Sequence, residues 1–343
     1  MRITFVDDSI PFDGYSPTSQ PLGGPEKAFA SLPAALAMRG HEVQVFNRCA
    51  FPVTAGGAAW HPFEDMRPED TDVLVAFRHP RLLDFVATAK RRVLWTAAAP
   101  EELNQTAEQA LLVRHQPMVI FMSEVQRERW TNALALTVKV IEPGITASYL
   151  EDDPMTPAEP PRAVTTSHPL AHLGWVLKLW AEQIRPAVPG AELHVYSSLL
   201  NKGELGAEVP EAVKPVLDLA LASRAHGVMV LRPQPDPQMA EAYRAARVHL
   251  YPGQVGELLA WTLAESQAAG LPAVTMASSA IIPTRVVDGQ TGKIAAAEAN
   301  FVAAAIDLLS DRVAFDRMSA NARQLRRGRT WAIAAAEFEE AFA

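Results

Sequence analysis

With 343 residues, 49% hydrophobic and 20% charged, the chain holds enough apolar material for about two globular domains. That balance excludes disordered, collagenous and coiled-coil classes. Thirty-one basic against 39 acidic side chains leave a formal charge of −8, which argues against a nucleic-acid binder. The single cysteine, Cys49, allows no internal disulfide and no cysteine-built zinc site. Residues 1–10 lack the apolar core of a signal peptide, and no run reaches the ~18 uninterrupted apolar residues of a membrane span. A soluble, cytoplasmic protein is expected.

Short apolar runs alternate with helix-length amphipathic segments, the pattern of parallel α/β domains. In the first half, strands are expected at residues 3–6, 43–46, 73–77, 93–95, 119–122 and 138–141. A helix over 25–38 starts on a proline and stops at Gly40, with Phe29, Leu32 and Leu36 at helical spacing. In the second half, strands are expected at 163–166, 193–196, 228–231, 248–251 and 273–275. Helices are expected at 174–184, 211–223, 238–246, 260–269 and 298–309. Residues 151–161 contain four prolines and four acids, as a stiff exposed linker does. The expected division is 1–150, a linker at 151–161, a second domain at 162–328, and a terminal helix at 329–343 packing back on the first domain.

The most informative stretch is Val248-His-Leu-Tyr-Pro252, Gly253-Gln-Val-Gly-Glu257 and Ala264-Glu-Ser-Gln-Ala-Ala-Gly-Leu-Pro-Ala-Val274. It reads as strand, loop, helix ending at Gly270, and strand. On one continuous helix, Glu257 and Glu265 would be rotated by about 80° and separated by about 12 Å, too far to share a small ligand. With residues up to about 259 in a loop, both can line one cleft, beside helix amides suited to a phosphate.

In this context the chain resembles the retaining, nucleotide-sugar-dependent glycosyltransferases of the GT-B fold (group 1, family 4-like), an α/β architecture of two facing Rossmann-like domains with parallel sheets and an interdomain cleft. Leu22-Gly-Gly-Pro-Glu26 and Ala37-Met-Arg-Gly-His-Glu-Val43 look like the family's glycine loop, first helix and second strand. Glu142-Pro-Gly-Ile145 resembles the turn closing the first domain. Leu179-Trp180, Ile184, Val188-Pro-Gly-Ala-Glu-Leu-His-Val195 and Gln238-Met-Ala-Glu-Ala-Tyr-Arg-Ala-Ala246 resemble landmarks of the second.

By position, the resemblance gives Glu257 the donor sugar, as the catalytic-site carboxylate, and Glu265 the ribose. A carboxylate accepts two hydroxyl hydrogen bonds and so orients a polyol. Gly23 and Gly24 would admit the donor diphosphate or the acceptor close to the backbone. The family's arginine and lysine after the first strand of the second domain are missing from Thr166-Ser-His-Pro-Leu-Ala-His-Leu-Gly174, where His168 and His172 are the only candidates. Family glycines after the first glutamate are replaced by Leu258, Leu259 and Ala260, and Leu258 and Leu259 are taken as donor-side residues. Thr96-Ala-Ala-Ala-Pro100 stands where many members carry a histidine.

Asp8, Arg78 and His79 follow first-domain strands and are weak acceptor-side candidates, each with a cap-and-turn or structural alternative. No metal-ligand set, phosphate-binding Gly-rich lysine loop, nucleophile elbow or dinucleotide fingerprint is present. No metal or bound cofactor is therefore expected beyond a nucleoside diphosphate sugar as substrate. The expected partners are that nucleotide sugar and a glycan or lipid-linked saccharide acceptor, with no nucleic acid. Lys90-Arg-Arg92 and the four arginines of 323–329 read as solvated helix faces, with contact to the inner face of an anionic membrane as the alternative. The leading function is a retaining hexosyltransferase. The alternative is a degenerate GT-B protein that binds a nucleotide, sugar or partner without catalysis.

Overall fold

The computed structural model describes residues 1–131 and 134–343. The chain forms two compact units, residues 1–146 with 329–343, and residues 147–328. The 151–161 segment thus counts with the second unit and not as a separate connector.

In the first unit, β1 (Arg2–Val6), β2 (Glu42–Asn47), β3 (Val53–Ala55), β4 (Ala58–Pro62), β5 (Asp70–Phe77), β6 (Thr88–Thr96), β7 (Met118–Phe121) and β8 (Val138–Val140) form one sheet. Its order is β3-β4-β2-β1-β5-β6-β7-β8, and only the β3–β4 pair is antiparallel. That hairpin was not expected. It turns on Gly56 and Gly57, both at positive φ, as a two-residue turn with left-handed central residues requires. The core is built on aromatic rings. Phe5 and Phe77 pack on Phe29 of the Gly24–Ala37 helix, Phe77 packs on Trp95, and Trp95 meets Phe338 of the terminal Trp331–Phe342 helix at 5.1 Å between ring centres.

In the second unit, β9 (Arg162–Thr165), β10 (Glu192–Tyr196), β11 (Val228–Leu231), β12 (Val248–Tyr251), β13 (Ala273–Met276) and β14 (Gly292–Ala295) form a sheet of order β11-β10-β9-β12-β13-β14. Every pair is parallel. Right-handed crossovers place helices on both faces of such a sheet, and the near-continuous apolar runs Leu193, Val195, Val248, Leu250 and Val274 are buried accordingly, against Leu177, Trp180, Phe301 and Leu308.

Lys90, Arg91 and Arg327 are exposed, but residues 90–92 lie on β6 and not on a helix, and both clusters are paired within their own units. Arg92 donates to the carbonyls of Leu83, Val86 and Ala87, Arg91 to the Ala343 carbonyl, and Lys90 pairs with Asp72 at 2.7 Å. Arg323 reaches the Asp153 carbonyl, Arg327 pairs with Asp152 at 2.7 Å, Arg326 is buried against the Thr284 carbonyl, and Arg329 pairs with Glu337. The acidic 151–161 segment is held on the second unit by these arginines and by Arg244 and Arg247, and Thr156 and Ala158 donate backbone hydrogen bonds to residues 244 and 245. Opposite charges far apart in sequence have neutralised each other locally. Among the described residues, no helix is long and apolar enough to cross a membrane.

Candidate active site

In the second unit, β12 ends in Tyr251 and a loop carries the chain to the Trp261–Ala268 helix. Glu257 lies in that loop, its amide closing a turn on the Gln254 carbonyl at 3.2 Å, and Glu265 lies one turn into the helix. The helix therefore starts late enough that the two glutamates are not on one continuous helical surface.

Glu257 is half-buried. Its Oε1 accepts the Tyr251 hydroxyl, and its Oε2 is buried with no hydrogen-bonding partner among the described residues. Burial pushes its carboxyl above the ordinary range, against the opposing pull of the Tyr251 bond. Burial also drives the Tyr251 hydroxyl well above its ordinary value, and the Glu257 charge adds to this. A buried acceptor without a donor is expensive to keep, which makes Oε2 a candidate position for a ligand hydroxyl.

Glu265 is only 4% exposed, and its Oε1 accepts the Trp261 indole N–H at 3.1 Å. Buried Tyr149 and Tyr243 lie within range of its charge. Burial raises both hydroxyls well above their ordinary value, and Glu265 raises them further. Tyr149 in turn donates to Asp236 at 2.9 Å.

Leu258 and Leu259 are half-buried, and the Leu259 carbonyl accepts from buried Arg285 at 3.1 Å. Arg285 carries no motif and was not anticipated. Ala260 caps the helix in the left-handed region (φ 44°, ψ 54°) with no side-chain cap. That conformation is natural for glycine and strained for alanine.

His168 and His172 are exposed. His168 caps the irregular turn 169–173 by accepting the Leu170 N–H on Nδ1 at 3.2 Å, which leaves Nε2 as its outward nitrogen. His172 is left-handed (φ 62°) and lines a cavity of about 440 Å³ with Trp175, Pro252, Met276, Ser278 and Glu298. This cavity lies at the carboxyl ends of β12, β13 and β14, where open parallel sheets bind ligands. A larger cavity, about 590 Å³, lies instead among Asp152, Met155, Ser319, Arg323 and Arg327, away from the strand ends. Position in the fold favours the smaller one as the ligand site.

Behind the loop runs a buried polar chain with no sequence signature. His249, fully buried on β12, meets Ser266 through Nδ1 at 2.8 Å and Thr166 through Nε2 at 3.1 Å, and Thr166 meets Thr262 at 2.7 Å. Burial pulls the imidazole down to about 3, so it is neutral near pH 7.

In the first unit, Gly23 is the N-cap of the Gly24–Ala37 helix, and Glu26 in its first turn pairs with Arg78. Arg78 follows β5 in the left-handed region (φ 69°), with Nε 3.7 Å from Oδ1 of Asp7, which is fully buried. Burial raises the Asp7 carboxyl, opposed by the Ser9 hydrogen bond and by Arg78. Asp8 pairs with Arg81, and its carbonyl accepts from Arg48. His79 is the N-cap residue of the short Pro80–Asp84 helix and makes no side-chain cap. The glycine pair, Arg78 and the acidic pair after β1 thus share the carboxyl ends of β1 and β5. Asp7 rather than Asp8 is the buried member. The Thr96–Pro100 loop is held by Gln126, which donates to the carbonyls of Thr96 and Ala98.

Residues 165–311 match the family model described as Glycosyl transferases group 1. No curated protein matches the chain in sequence. Among solved structures, sucrose-phosphate synthase from Thermosynechococcus elongatus aligns at a TM-score of 0.72 and 14% identity, over 99% of this chain and 98% of that one. Anabaena HepE in complex with UDP and glucose aligns at 0.65 and 13% identity, over 99% and 98%. An Escherichia coli structure described as trehalose-6-phosphate bound with UDP-2-fluoro glucose aligns at 0.66 and 13% identity, over 100% and 99%. At these identities the likeness concerns the fold alone. The chain has the GT-B fold, and its 165–311 segment matches the group 1 glycosyltransferase model.

Proposed function

We propose that the chain moves a hexosyl group from a nucleoside diphosphate sugar to a glycan or lipid-linked acceptor with retention of configuration, in the cytoplasm and in service of polysaccharide assembly. The observation that carries this reading is Glu257: a half-buried carboxylate with one oxygen on Tyr251 and the other lacking a donor among the described residues, inside the matched 165–311 segment and at the carboxyl edge of a parallel sheet. HepE, with UDP and glucose, and the trehalose-6-phosphate structure, with UDP-2-fluoro glucose, support a nucleotide sugar as the donor class.

In this reading Glu257 fixes the transferred sugar and Glu265 the ribose, while the first unit, through the groups at the ends of β1 and β5, takes the acceptor. The diphosphate would rest on the amides of the uncapped Trp261–Ala268 helix, with His168 and His172 standing in the segment where the family carries its cations. Metal independence is part of the proposal. Among the described residues, no group of three or more His, Cys, Asp or Glu side chains is placed to hold an ion. The second reading, binding without turnover, is favoured by the lack of arginine and lysine in 166–174. Thermal shift and calorimetry with UDP, GDP, ADP and their glucose or mannose conjugates, followed by assay for sugar release, test both. Binding with release supports transfer, binding without release supports the second reading, and no binding overturns both.

A further inference from the structure

The larger cavity of the second unit, about 590 Å³, has the volume of a small-molecule site. Ala268 in its wall ends the helix that returns the chain to the start of β13, so the cavity lies toward the amino edge of the sheet, opposite Glu257. Arg323 and Arg327 line it from positions four residues apart at the end of the Arg312–Arg326 helix, and so face the same way. The Arg323 side chain lies flat on Gly270, where a Cβ would come within 2.7 Å of its Nε and 3.0 Å of its Cγ. A glycine at φ 91° thus seats one guanidinium. Asp152 bridges the two, with Oδ2 2.7 Å from Nη2 of Arg327 and Oδ1 3.8 Å from Nη1 of Arg323. Its side chain is 75% exposed, and an ion pair so open to water contributes little. The other acids of the wall are engaged from outside it. Asp316 accepts from Arg312 Nε on both oxygens, at 2.9 and 3.0 Å, and Glu151 lies 3.6 Å from Arg244. The 151–161 segment does not depend on Asp152 either. The amides of Thr156 and Ala158 bond the carbonyls of Arg244 and Ala245, and Glu159 pairs with Arg247. The Asp152 carboxylate can therefore leave the arginines while the wall it belongs to stays in place.

We propose that this cavity is a second ligand site, for an organic phosphate whose phosphoryl group replaces the Asp152 carboxylate on Arg323 and Arg327. The carboxylate already marks the place of an anion between the two guanidiniums. A phosphoryl group brings up to two charges and three acceptor oxygens to the same donors, and guanidinium forks match its geometry. Leu150, Met155 and Ala268 supply an apolar wall for the body of the ligand. Asp152 is then a built-in competitor that sets a threshold for binding. The site is independent of the nucleotide-sugar reading, since it shares no side chain with Glu257, Glu265 or the histidines of 168–172.

Phenyl phosphate, inorganic phosphate and phenol are titrated calorimetrically into the full-length protein at low salt, where surface charges are least screened. Phenyl phosphate is expected to bind more tightly than inorganic phosphate, and phenol not to bind. Arg327→Ala should weaken phenyl phosphate about tenfold. Asp152→Asn, which removes the competitor, should tighten it about two- to fivefold. Glu151→Gln removes the same charge from the same wall without freeing either arginine, and should change affinity by less than about twofold. Asp152 and Arg327 are exposed, so these variants should fold, and their urea-unfolding midpoints check this. A Glu151→Gln effect as large as that of Asp152→Asn reflects the general field and overturns the proposal. Binding indifferent to both Arg327→Ala and Asp152→Asn overturns it too, and is the result expected if phenyl phosphate sits at the Glu257 end of the sheet. So does absence of binding to wild type and Asp152→Asn alike. Inorganic phosphate binding as tightly as phenyl phosphate overturns the assignment of an organic ligand. No nucleotide enters these titrations, so failure of the donor reading leaves their outcome unchanged.

Discussion

The Tyr251 hydroxyl donates to Oε1 of Glu257 while Oε2 of the same carboxylate is buried without a donor among the described residues. The ring comes from the last residue of β12 and the carboxylate from a loop six residues on, so a rigid strand end fixes a group on an otherwise free segment. The result is a carboxylate held in place and left partly unsatisfied. Binding groups are commonly kept in that state at some cost in stability.

That cost is measurable. Because burial raises the Glu257 carboxyl above its ordinary value of 4.5, the folded chain binds this proton more tightly than the unfolded chain. The stability contributed by protonation is complete below about 4.5 and is lost as pH rises through the raised value. Glu257→Gln, which retains an acceptor for Tyr251, should therefore be more stable than wild type by about 1 kcal/mol near pH 7.5. The advantage should vanish near pH 4. Urea unfolding of both proteins across pH 4–8 gives the difference, and a constant or reversed difference contradicts the assignment.

His249 has the opposite sign. Its folded-state value lies near 3, below the ordinary 6.5, so its contribution to stability is full above about 6.5 and is lost as pH falls toward 3. One proton corresponds to about 1.4 kcal/mol per pH unit in that window. His249→Asn should be the less stable protein at pH 8, since it breaks the chain from Ser266 to Thr166. The gap should narrow on acidification to pH 5. A gap that widens below pH 6.5 means that His249 does not have to charge on unfolding.

Much of the architecture was legible because apolar runs at strand spacing and apolar stripes at helical spacing persist through both halves. The stretch around Val248, Glu257, Glu265 and Gly270 was legible as strand, loop and helix. The β3–β4 hairpin was missed although Gly56-Gly57 is a strong turn signal, because the strands beside it are only three and five residues long. The Arg312–Arg326 helix was missed although Asp311 caps it, because a run of arginines there was read for charge instead of for its N-cap. The arginine–acid pairs and the His249 chain could not be read at all. Thr166 reaches His249 and Thr262 across 83 and 96 residues of sequence, and no local pattern records such pairings.

Ala260 holds a left-handed backbone that glycine adopts more readily. An alanine at φ 44° costs about 1 kcal/mol relative to a residue without a Cβ, partly offset by the greater freedom of glycine in the unfolded chain. Ala260→Gly should raise stability by about 0.5 kcal/mol and Ala260→Val should lower it by more than 1 kcal/mol. Thermal denaturation of the two variants distinguishes this from a tolerant loop, in which both changes would be silent.

Phe338 ties the terminal helix to the first unit. Its ring packs on Trp95 and Phe342, and it is fully buried. Phe338→Ala should cost about 3–5 kcal/mol, as truncation of a buried aromatic does. Hydrogen exchange should show the loss in β6 and in the Gly24–Ala37 helix, the elements that share this core. Normal protection there would mean that the terminal helix contributes little to the unit.

The two glutamates should separate by ligand. Glu265 is almost fully buried on the helix and Glu257 is half-buried on the loop, and in the proposed reading they meet different parts of one extended molecule. If Glu265 holds the ribose, Glu265→Ala weakens UDP or GDP and the corresponding nucleotide sugar alike. If Glu257 holds the transferred sugar through its unpartnered oxygen, Glu257→Ala weakens the nucleotide sugar and leaves the free diphosphate nearly unchanged. Loss of hydrogen bonds to a charged group is worth about 1.5–3 kcal/mol, so each affected dissociation constant should rise between about tenfold and a hundredfold. Glu257→Gln is the sharper variant, because it keeps shape and the Tyr251 contact while removing charge. An equal effect of both alanine variants on the free diphosphate would place both carboxylates at the nucleotide and leave the sugar without its carboxylate. Calorimetric titration of the four proteins with the diphosphate and its sugar conjugate decides between these outcomes.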